Sequence, residues 1–324
     1  MHKIEDLYTI IKYNIEKLDF KLEPAELYDP ISYTLSFGGK RIRPVLTLLA
    51  CDMYGGNIED ALDAAISLEM FHNFTLIHDD IMDKAPLRRG KATVYKKWNT
   101  DIAILSGDTL FAKAYQVAIN TNERYLKKVL VVLTKVAIDV CEGQQYDMNF
   151  ETDKNVTIPK YIEMIRLKTA ALIGSCLKAG AIIGNASEEE AENIYKFGEN
   201  LGIAFQLKDD LLDVYGDEVV FGKKEGGDIV SNKKTYLSIK AFELAEGDDA
   251  KTLSYFFSGK DFSESEKINN IKNIYNKLLV KDLAEKEMTY YYQCSLNYLD
   301  KINLDSDKKQ ELKKLAEKLI IREF

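Results

Sequence analysis

The sequence predicts an all-α fold organised as one domain, and three observations carry that expectation. Apolar residues recur at three- and four-residue spacing along most of the 324 residues, which is the period of a helix face. Only five prolines interrupt the pattern, at Pro24, Pro30, Pro44, Pro86 and Pro159. No convincing run alternates with the two-residue period of a half-buried strand. No repeat of fixed period, low-complexity tract or Gly/Ser linker divides the chain, so residues 1–324 are read as a single domain.

Composition narrows the class further. Hydrophobic residues make up 46% and charged residues 30%, enough for a sizeable core beneath a charged surface. No apolar run approaches the roughly eighteen residues of a membrane span. Residues 1–20 mix charge with helix-period apolar positions and lack a signal-peptide core, so a cytoplasmic location is expected. Cys51, Cys141, Cys176 and Cys294 are scattered without zinc-type spacing and read as reduced thiols. A net charge of −8 argues against a nucleic-acid partner. An anionic small molecule could still bind, but only through local cationic clusters or a bound metal.

Two long helices stand out. The first opens at Asn57, a good N-cap, with Asp60 in its first turn, and runs to about Asp83 ahead of Pro86. Its residues Ile58, Leu62, Ala65, Ile66, Phe71, Phe74, Ile77 and Ile81 leave little polar face. The second opens on Ser187-Glu188-Glu189-Glu190, a capping box, and runs to Tyr215 with Gly216 as its stop. It carries Ile194, Phe197, Leu201, Ile203, Phe205, Leu207 and Leu211. Helices apolar on nearly every side belong at the centre of a bundle. At about 27 residues and 1.5 Å per residue each is roughly 40 Å long, enough to line a deep cavity.

Both helices end in the same acidic pattern, Asp79-Asp80-Ile81-Met82-Asp83 and Asp209-Asp210-Leu211-Leu212-Asp213. Helical spacing stacks Asp79 over Asp83 and Asp209 over Asp213. Like charges at that spacing repel, and the last turn is already the negative end of the helix dipole. Folding has no use for three carboxylates there. A hard divalent cation resolves both conflicts, and magnesium bridging to substrate phosphates fits best. A solvated acidic helix end explains one such motif, but two arise by chance in only about 1% of comparable chains.

With these motifs in view, the sequence resembles the trans-isoprenyl diphosphate synthases, or polyprenyl synthetase family. The resemblance rests on GGKRIRP at 38–44, HNFTLIHDDIMDKAPLRRG at 72–90, Lys168-Thr169, FQLKDDLLDVYGD at 205–217 and FGKKEGGDIVSNKKT at 221–235. Their order and spacing agree with the family, whereas the segment beyond 235 carries little signal. The resemblance implies the isoprenoid synthase fold, a single large helical bundle around a central cavity, usually homodimeric. It implies that the two aspartate motifs face each other across the cavity mouth and hold three magnesium ions on the allylic diphosphate, with manganese able to substitute. Asp79, Asp83 and Asp209 are then direct ligands, and Asp80, Asp210 and Asp213 support them.

The same resemblance assigns the cations that the net charge demanded. Lys40, Arg43, His72 and Arg89 match positions for isopentenyl diphosphate. Arg88, Lys168, Lys223 and Lys233 match positions for the allylic diphosphate. Arginine suits this work because its planar fork offers two parallel hydrogen bonds to phosphate oxygens. Thr169 and Gln206 match residues whose oxygens face the developing carbocation. Taken singly, each of these is as readily a surface cation or a buried hydrogen-bonder. Gly107-Asp108 and Gly143-Gln144 also resemble family segments, although packing explains them equally. His78 points about 100° away from Asp79 on the helix and reads as structural.

The expected reaction is ionisation of an allylic diphosphate (dimethylallyl, geranyl or farnesyl), attack by isopentenyl diphosphate and proton loss, with release of diphosphate. In the family the released diphosphate is thought to take the proton, so no protein base is required. Chain length is expected to depend on Thr75 and Phe74, about one turn before the first aspartate, and on Phe71 a turn further. One aromatic at the fifth position upstream, with no insertion inside the motif, resembles synthases that stop at geranylgeranyl diphosphate (C20), with farnesyl diphosphate (C15) as the alternative. Core packing alone would also account for Phe71 and Phe74.

Other readings fit less well. A terpene cyclase usually lacks the second aspartate motif and the GGKRIRP segment. A longer-chain polyprenyl synthase would want small residues at 71 and 74, and non-catalytic relatives typically lose an aspartate motif. Two departures concern the lid: Lys84-Ala85-Pro86-Leu87 is less acidic than in many relatives, and the terminus offers only Arg322 as a cation.

Overall fold

Helix is what this sequence builds almost everywhere in the computed structural model, which describes residues 1–216, 226–259 and 261–320. The chain runs through α1 (Ile4–Glu16), α2 (Ala25–Leu35), α3 (Ile42–Met53) and α4 (Ile58–Met82). Strands β1 (Leu87–Arg88) and β2 (Lys91–Ala92) precede α5 (Val94–Lys97), α6 (Thr100–Ala118), α7 (Glu123–Phe150) and α8 (Ile158–Ile165). A π-helical segment (Arg166–Ala170) joins α8 to α9 (Ala171–Ile183), followed by α10 (Glu188–Tyr215). The remainder is α11 (Gly227–Val230), α12 (Tyr236–Leu244), α13 (Gly247–Ser258), α14 (Glu264–Lys277), α15 (Val280–Asp300) and α16 (Ser306–Ile320). The fold is all-α, as the periodicity predicts. Among the described residues, no helix is long and apolar enough to cross a membrane.

The chain groups into two compact units. The first comprises Met1–Ala137, Ser175–Tyr195 and Ile302–Leu312. At its centre α4 packs against α3 and α6. Every residue from 64 to 71 of α4 is buried, so the helix has no solvent face there. That is the burial expected of its uninterrupted apolar sequence. Leu46, Leu48, Leu49 and Met53 of α3 are wholly enclosed, each contributing about 1.5–3 kcal/mol by leaving water. The predicted start of α4 is present: the Asn57 side chain accepts from the Glu59 N–H at 3.2 Å.

The small hairpin was not legible in the sequence, since strands of two residues are too short to show alternation. Leu87 pairs with Ala92 and Arg88 with Lys91. The intervening Arg89 and Gly90 both have positive φ, 52° and 74°. A two-residue turn of this kind matches the natural twist of the paired strands. The Tyr33 hydroxyl donates to Ala92 O at 2.9 Å and the Thr93 hydroxyl to Ala85 O at 2.8 Å, fixing the hairpin in place.

The second unit comprises Ile138–Gly174, Lys196–Lys301 and the chain from Lys313. Its core gathers Tyr161, Leu207, Leu211, Leu237, Leu253, Ile271 and Tyr275. α10 begins on the predicted capping box: the Glu190 N–H donates to Ser187 Oγ at 3.2 Å, and the Ser187 N–H to Glu190 Oε2 at 3.3 Å. The π-helical segment is the main surprise. A single widened turn cannot be read from apolar spacing, yet such turns collect at functional sites. Arg166 clamps its start with ion pairs to Glu163 at 2.6 Å and Glu199 at 3.0 Å. All four cysteines are free thiols.

Candidate active site

In the first unit the α4 aspartates separate by burial. Asp80 is only 3% exposed and accepts from Arg88 Nε and Nη2, both at 2.7 Å. Burial pushes the Asp80 carboxyl above its ordinary value, and Arg88 partly offsets that rise. Asp79 is half-buried and Asp83 exposed. The inner carboxylate therefore anchors Arg88 on the hairpin, while the outer two remain accessible on the last turn.

The cationic residues expected to act together converge around the loop before α3. Three residues of this loop have left-handed backbone: Gly38, Gly39 and Arg41, with φ of 68°, 116° and 42°. Glycine is required at 39, because φ of 116° is a backbone conformation that residues with a Cβ rarely adopt. The Arg89 guanidinium lies beside it and donates to Gly38 O. Arg43 Nη1 meets His72 Nε2 at 3.1 Å. Lys40 is exposed beside them.

His72, grouped by resemblance with the isopentenyl diphosphate positions, stands on α4 facing the Arg43 guanidinium. Burial, followed by Arg43, Arg89, Arg88 and Arg41, holds its pKa well below 6.5. The unfolded chain binds a proton at this residue below about pH 6.5, and the folded chain does not, so stability falls as pH drops through that window. We expect a loss of about 1 kcal/mol between pH 7 and 5.5, reduced in a His72→Gln variant. Urea unfolding at several pH values measures both, and equal pH slopes would refute the assignment.

In the second unit the π-helical segment carries Lys168 and Thr169. The Lys168 ammonium pairs with Asp147 of α7 at 2.6 Å. The Thr169 hydroxyl donates to Gln206 Oε1 at 3.2 Å, and Gln206 Nε2 donates to Asp210 Oδ1 at 3.1 Å. The buried Tyr161 hydroxyl donates to the other Asp210 oxygen. Burial and the neighbouring Asp228 push Asp210 up to about 7, against the hydrogen bonds from Tyr161 and Gln206. Asp213 accepts from the Asp228 N–H at 2.8 Å. Asp209 is half-buried. The second motif thus repeats the logic of the first, with its middle aspartate tied into the protein.

Lys233 lies in a tightly held loop. Its N–H donates to Asp228 O at 2.9 Å and its carbonyl accepts from Ser238 Oγ at 3.0 Å. The buried Lys267 ammonium anchors that loop through Val230 O at 3.1 Å and Asn232 Oδ1. Lys223 and Arg322 lie outside the described residues.

Along α4, Phe71 is wholly buried and Phe74 half-buried. The ring of Phe111 on α6 lies 5.0 Å from Phe74 and 6.0 Å from Phe71. Phe71 and Phe74 are themselves 5.6 Å apart. The Thr75 hydroxyl is turned back to His72 O at 2.8 Å. His78 packs edge-on against Phe74 and over Gly107, with Nε2 3.2 Å from Ile104 O, as a structural residue should.

Sequence reading missed Asp147, Tyr161, Phe111, Lys267 and the partnership of Arg41 with Glu69. Asp147 stands three residues after Gln144, a spacing that shares a helix face, but a lone aspartate on a helix looks like any solvated one. The others have no local signal, since their partners are distant in sequence.

Magnesium suits this donor set. Among the described residues, no group of three or more His, Cys, Asp or Glu side chains could hold a metal unaided. Magnesium asks for less, typically one or two carboxylates completed by water and substrate phosphate. Asp79 with Asp83, and Asp209, present such oxygens; Asp80 and Asp210 are engaged elsewhere.

Fold and site together define an all-α prenyltransferase with paired aspartate motifs. The chain belongs to the polyprenyl synthetase family, whose model matches residues 24–278. It is 44% identical over 222 residues to the geranylgeranyl diphosphate synthase of Methanosarcina mazei, covering 68% of each chain. It is 35% identical over 314 residues to the geranylfarnesyl diphosphate synthase of Aeropyrum pernix, covering 94% of this chain and 97% of the relative. The crystal structure of a geranylgeranyl pyrophosphate synthase superposes with a TM-score of 0.95 at 41% identity, covering 100% of both chains.

Proposed function

We propose that residues 1–324 act as one synthase domain that condenses isopentenyl diphosphate with dimethylallyl, geranyl or farnesyl diphosphate and stops at geranylgeranyl diphosphate (C20). The observation that carries the chain length is the contact of Phe74 with Phe111, two rings 5.0 Å apart about one turn before the first aspartate. Phe71, wholly buried, packs against both rings. Thr75 turns its hydroxyl to His72 O and adds its bulk beside Phe74.

Lys40, Arg43 and Arg89 take the diphosphate of isopentenyl diphosphate, with neutral His72 orienting Arg43. Arg88, Lys168 and Lys233, together with Lys223, take the allylic diphosphate. Asp79, Asp83 and Asp209 would hold magnesium, three ions by family resemblance, which would supply Lewis-acid neutralisation of the leaving diphosphate. Asp80, Asp210 and Asp213 support these ligands through their contacts with Arg88, Tyr161, Gln206 and the Asp228 amide. Thr169 and Gln206 turn oxygen atoms toward the charge that develops on the allylic carbon, stabilising it as it grows. The double bond of isopentenyl diphosphate attacks that carbon, and the proton leaves to the departing diphosphate.

Product analysis with labelled isopentenyl diphosphate and each primer in turn tests this reading. Phe74→Ala and Phe111→Ala are each expected to lengthen the product to C25 or beyond. A wild-type C15 or C25 product, or unchanged lengths in both variants, would overturn the chain-length assignment.

A cytoplasmic homodimer is part of the proposal. Ile104, Leu105, Ile119 and Val131, on or beside α6 and α7, are 41–62% exposed, apolar side chains that a second copy would cover. Light scattering is expected to give twice the chain mass, and a monomer at micromolar concentration would remove this element.

A further inference from the structure

Two features around Arg41 lack a role in the reaction as described. Arg41 adopts φ 42° and ψ 38°, a left-handed backbone that is unfavourable for a residue with a Cβ. Such strain persists only where the surroundings over-determine it, and it collects at functional sites. Its side chain is also buried, 8% exposed, against a Glu69 that is 3% exposed. A buried pair is weak grounds for stability, because desolvation offsets most of the attraction.

The contacts indicate what the pair does. Arg41 Nη1 donates to Glu69 Oε1 at 2.5 Å, and Nη2 donates to Leu35 O at 2.5 Å. Glu69 Oε1 also accepts from Asn73 Nδ2 at 3.2 Å. Glu69, His72 and Asn73 lie at i, i+3 and i+4, one stripe of α4. That stripe therefore holds Arg41 through Glu69 and, one turn on, Arg43 through His72. Lys40 directly precedes the clamped residue. Charge points the same way: Arg41, Arg43, Arg88 and Arg89 all bear on His72, and Glu69 bears on Arg89 as an opposing charge.

We propose that the Arg41–Glu69 pair is a positioning element for the second substrate: it fixes the strained turn that aims Lys40 and Arg43, and its carboxylate offsets the crowded guanidinium groups until a diphosphate arrives. The inference rests on the reading of Lys40, Arg43 and Arg89 as the isopentenyl diphosphate cradle. Neither Arg41 nor Glu69 touches substrate in this scheme.

The test uses the full chain with both substrates varied. An Arg41→Met/Glu69→Leu double variant replaces the pair by apolar side chains, a change that buried ion pairs often tolerate without loss of fold. It is expected to keep its thermal midpoint and its KM for farnesyl diphosphate within about twofold, while KM for isopentenyl diphosphate rises roughly tenfold or more. A purely structural role would shift both KM values or the midpoint together. A folded double variant with unchanged KM for isopentenyl diphosphate, or with equal losses for both substrates, overturns the proposal. If the double variant does not fold, Glu69→Gln, which keeps the shape, must show the same selective rise, and its failure to do so overturns the proposal equally. Arg43→Ala separates the two layers: unchanged KM for isopentenyl diphosphate there removes the cradle reading itself.

Discussion

Alanine at both Asp79 and Asp83 is expected to lower condensation turnover by roughly 10³-fold at saturating magnesium while leaving the protein folded. The magnitude follows from losing several kcal/mol of electrostatic stabilisation on the leaving diphosphate. The fold is spared because these carboxylates are the accessible members of the motif, on the last turn of α4. Removing them relieves like-charge repulsion and an unfavourable dipole interaction, so thermal stability should hold or rise by about 0.3–1 kcal/mol. Asp80→Ala should behave differently. It strands Arg88, so stability and activity fall together. Turnover with labelled isopentenyl diphosphate, paired with thermal unfolding, separates the two cases. Near-native turnover in the Asp79/Asp83 variant would remove the metal assignment.

Gly143→Ala should be the most damaging single methyl group in the second unit. A Cβ at 143 would lie 2.7 Å from Lys168 Cα and 2.9 Å from Leu167 C, against backbone that cannot swing aside as a flexible side chain can. The π-helical segment must move, at a cost of about 1–3 kcal/mol. Lys168 and Thr169 move with it, and a displacement of about 1 Å at reacting groups can cost 10²-fold in rate. We expect kcat/KM for the allylic substrate to fall roughly 10–100-fold, with KM for isopentenyl diphosphate little changed. Steady-state kinetics with each substrate varied in turn reads the difference. Wild-type kinetics would mean that the segment does not aim these two side chains.

Much of this site is legible along the chain because its chemistry is repeated and local. The two Asp-Asp-x-x-Asp runs and the GGKRIRP turn declare themselves within a few residues, and caps at Asn57 and Ser187 mark where the long helices begin. His72 shows the limit of that legibility. Its type suggests a group that gains a proton near neutral pH, but burial and then four guanidinium groups drawn from 41–43 and 88–89 hold its pKa down, and neither is written in the local sequence.

Local periodicity and capping chemistry thus determined that the chain is helical and where two of its long helices start and stop. Only the tertiary structure decided which aspartate of each trio is engaged by the protein, that Lys168 answers to Asp147, that Phe111 closes on Phe74, and that Arg41 is held by Glu69. The physical reason is separation: helix signals act over three or four positions, whereas burial and pairing depend on groups brought together from 8 to 49 positions apart.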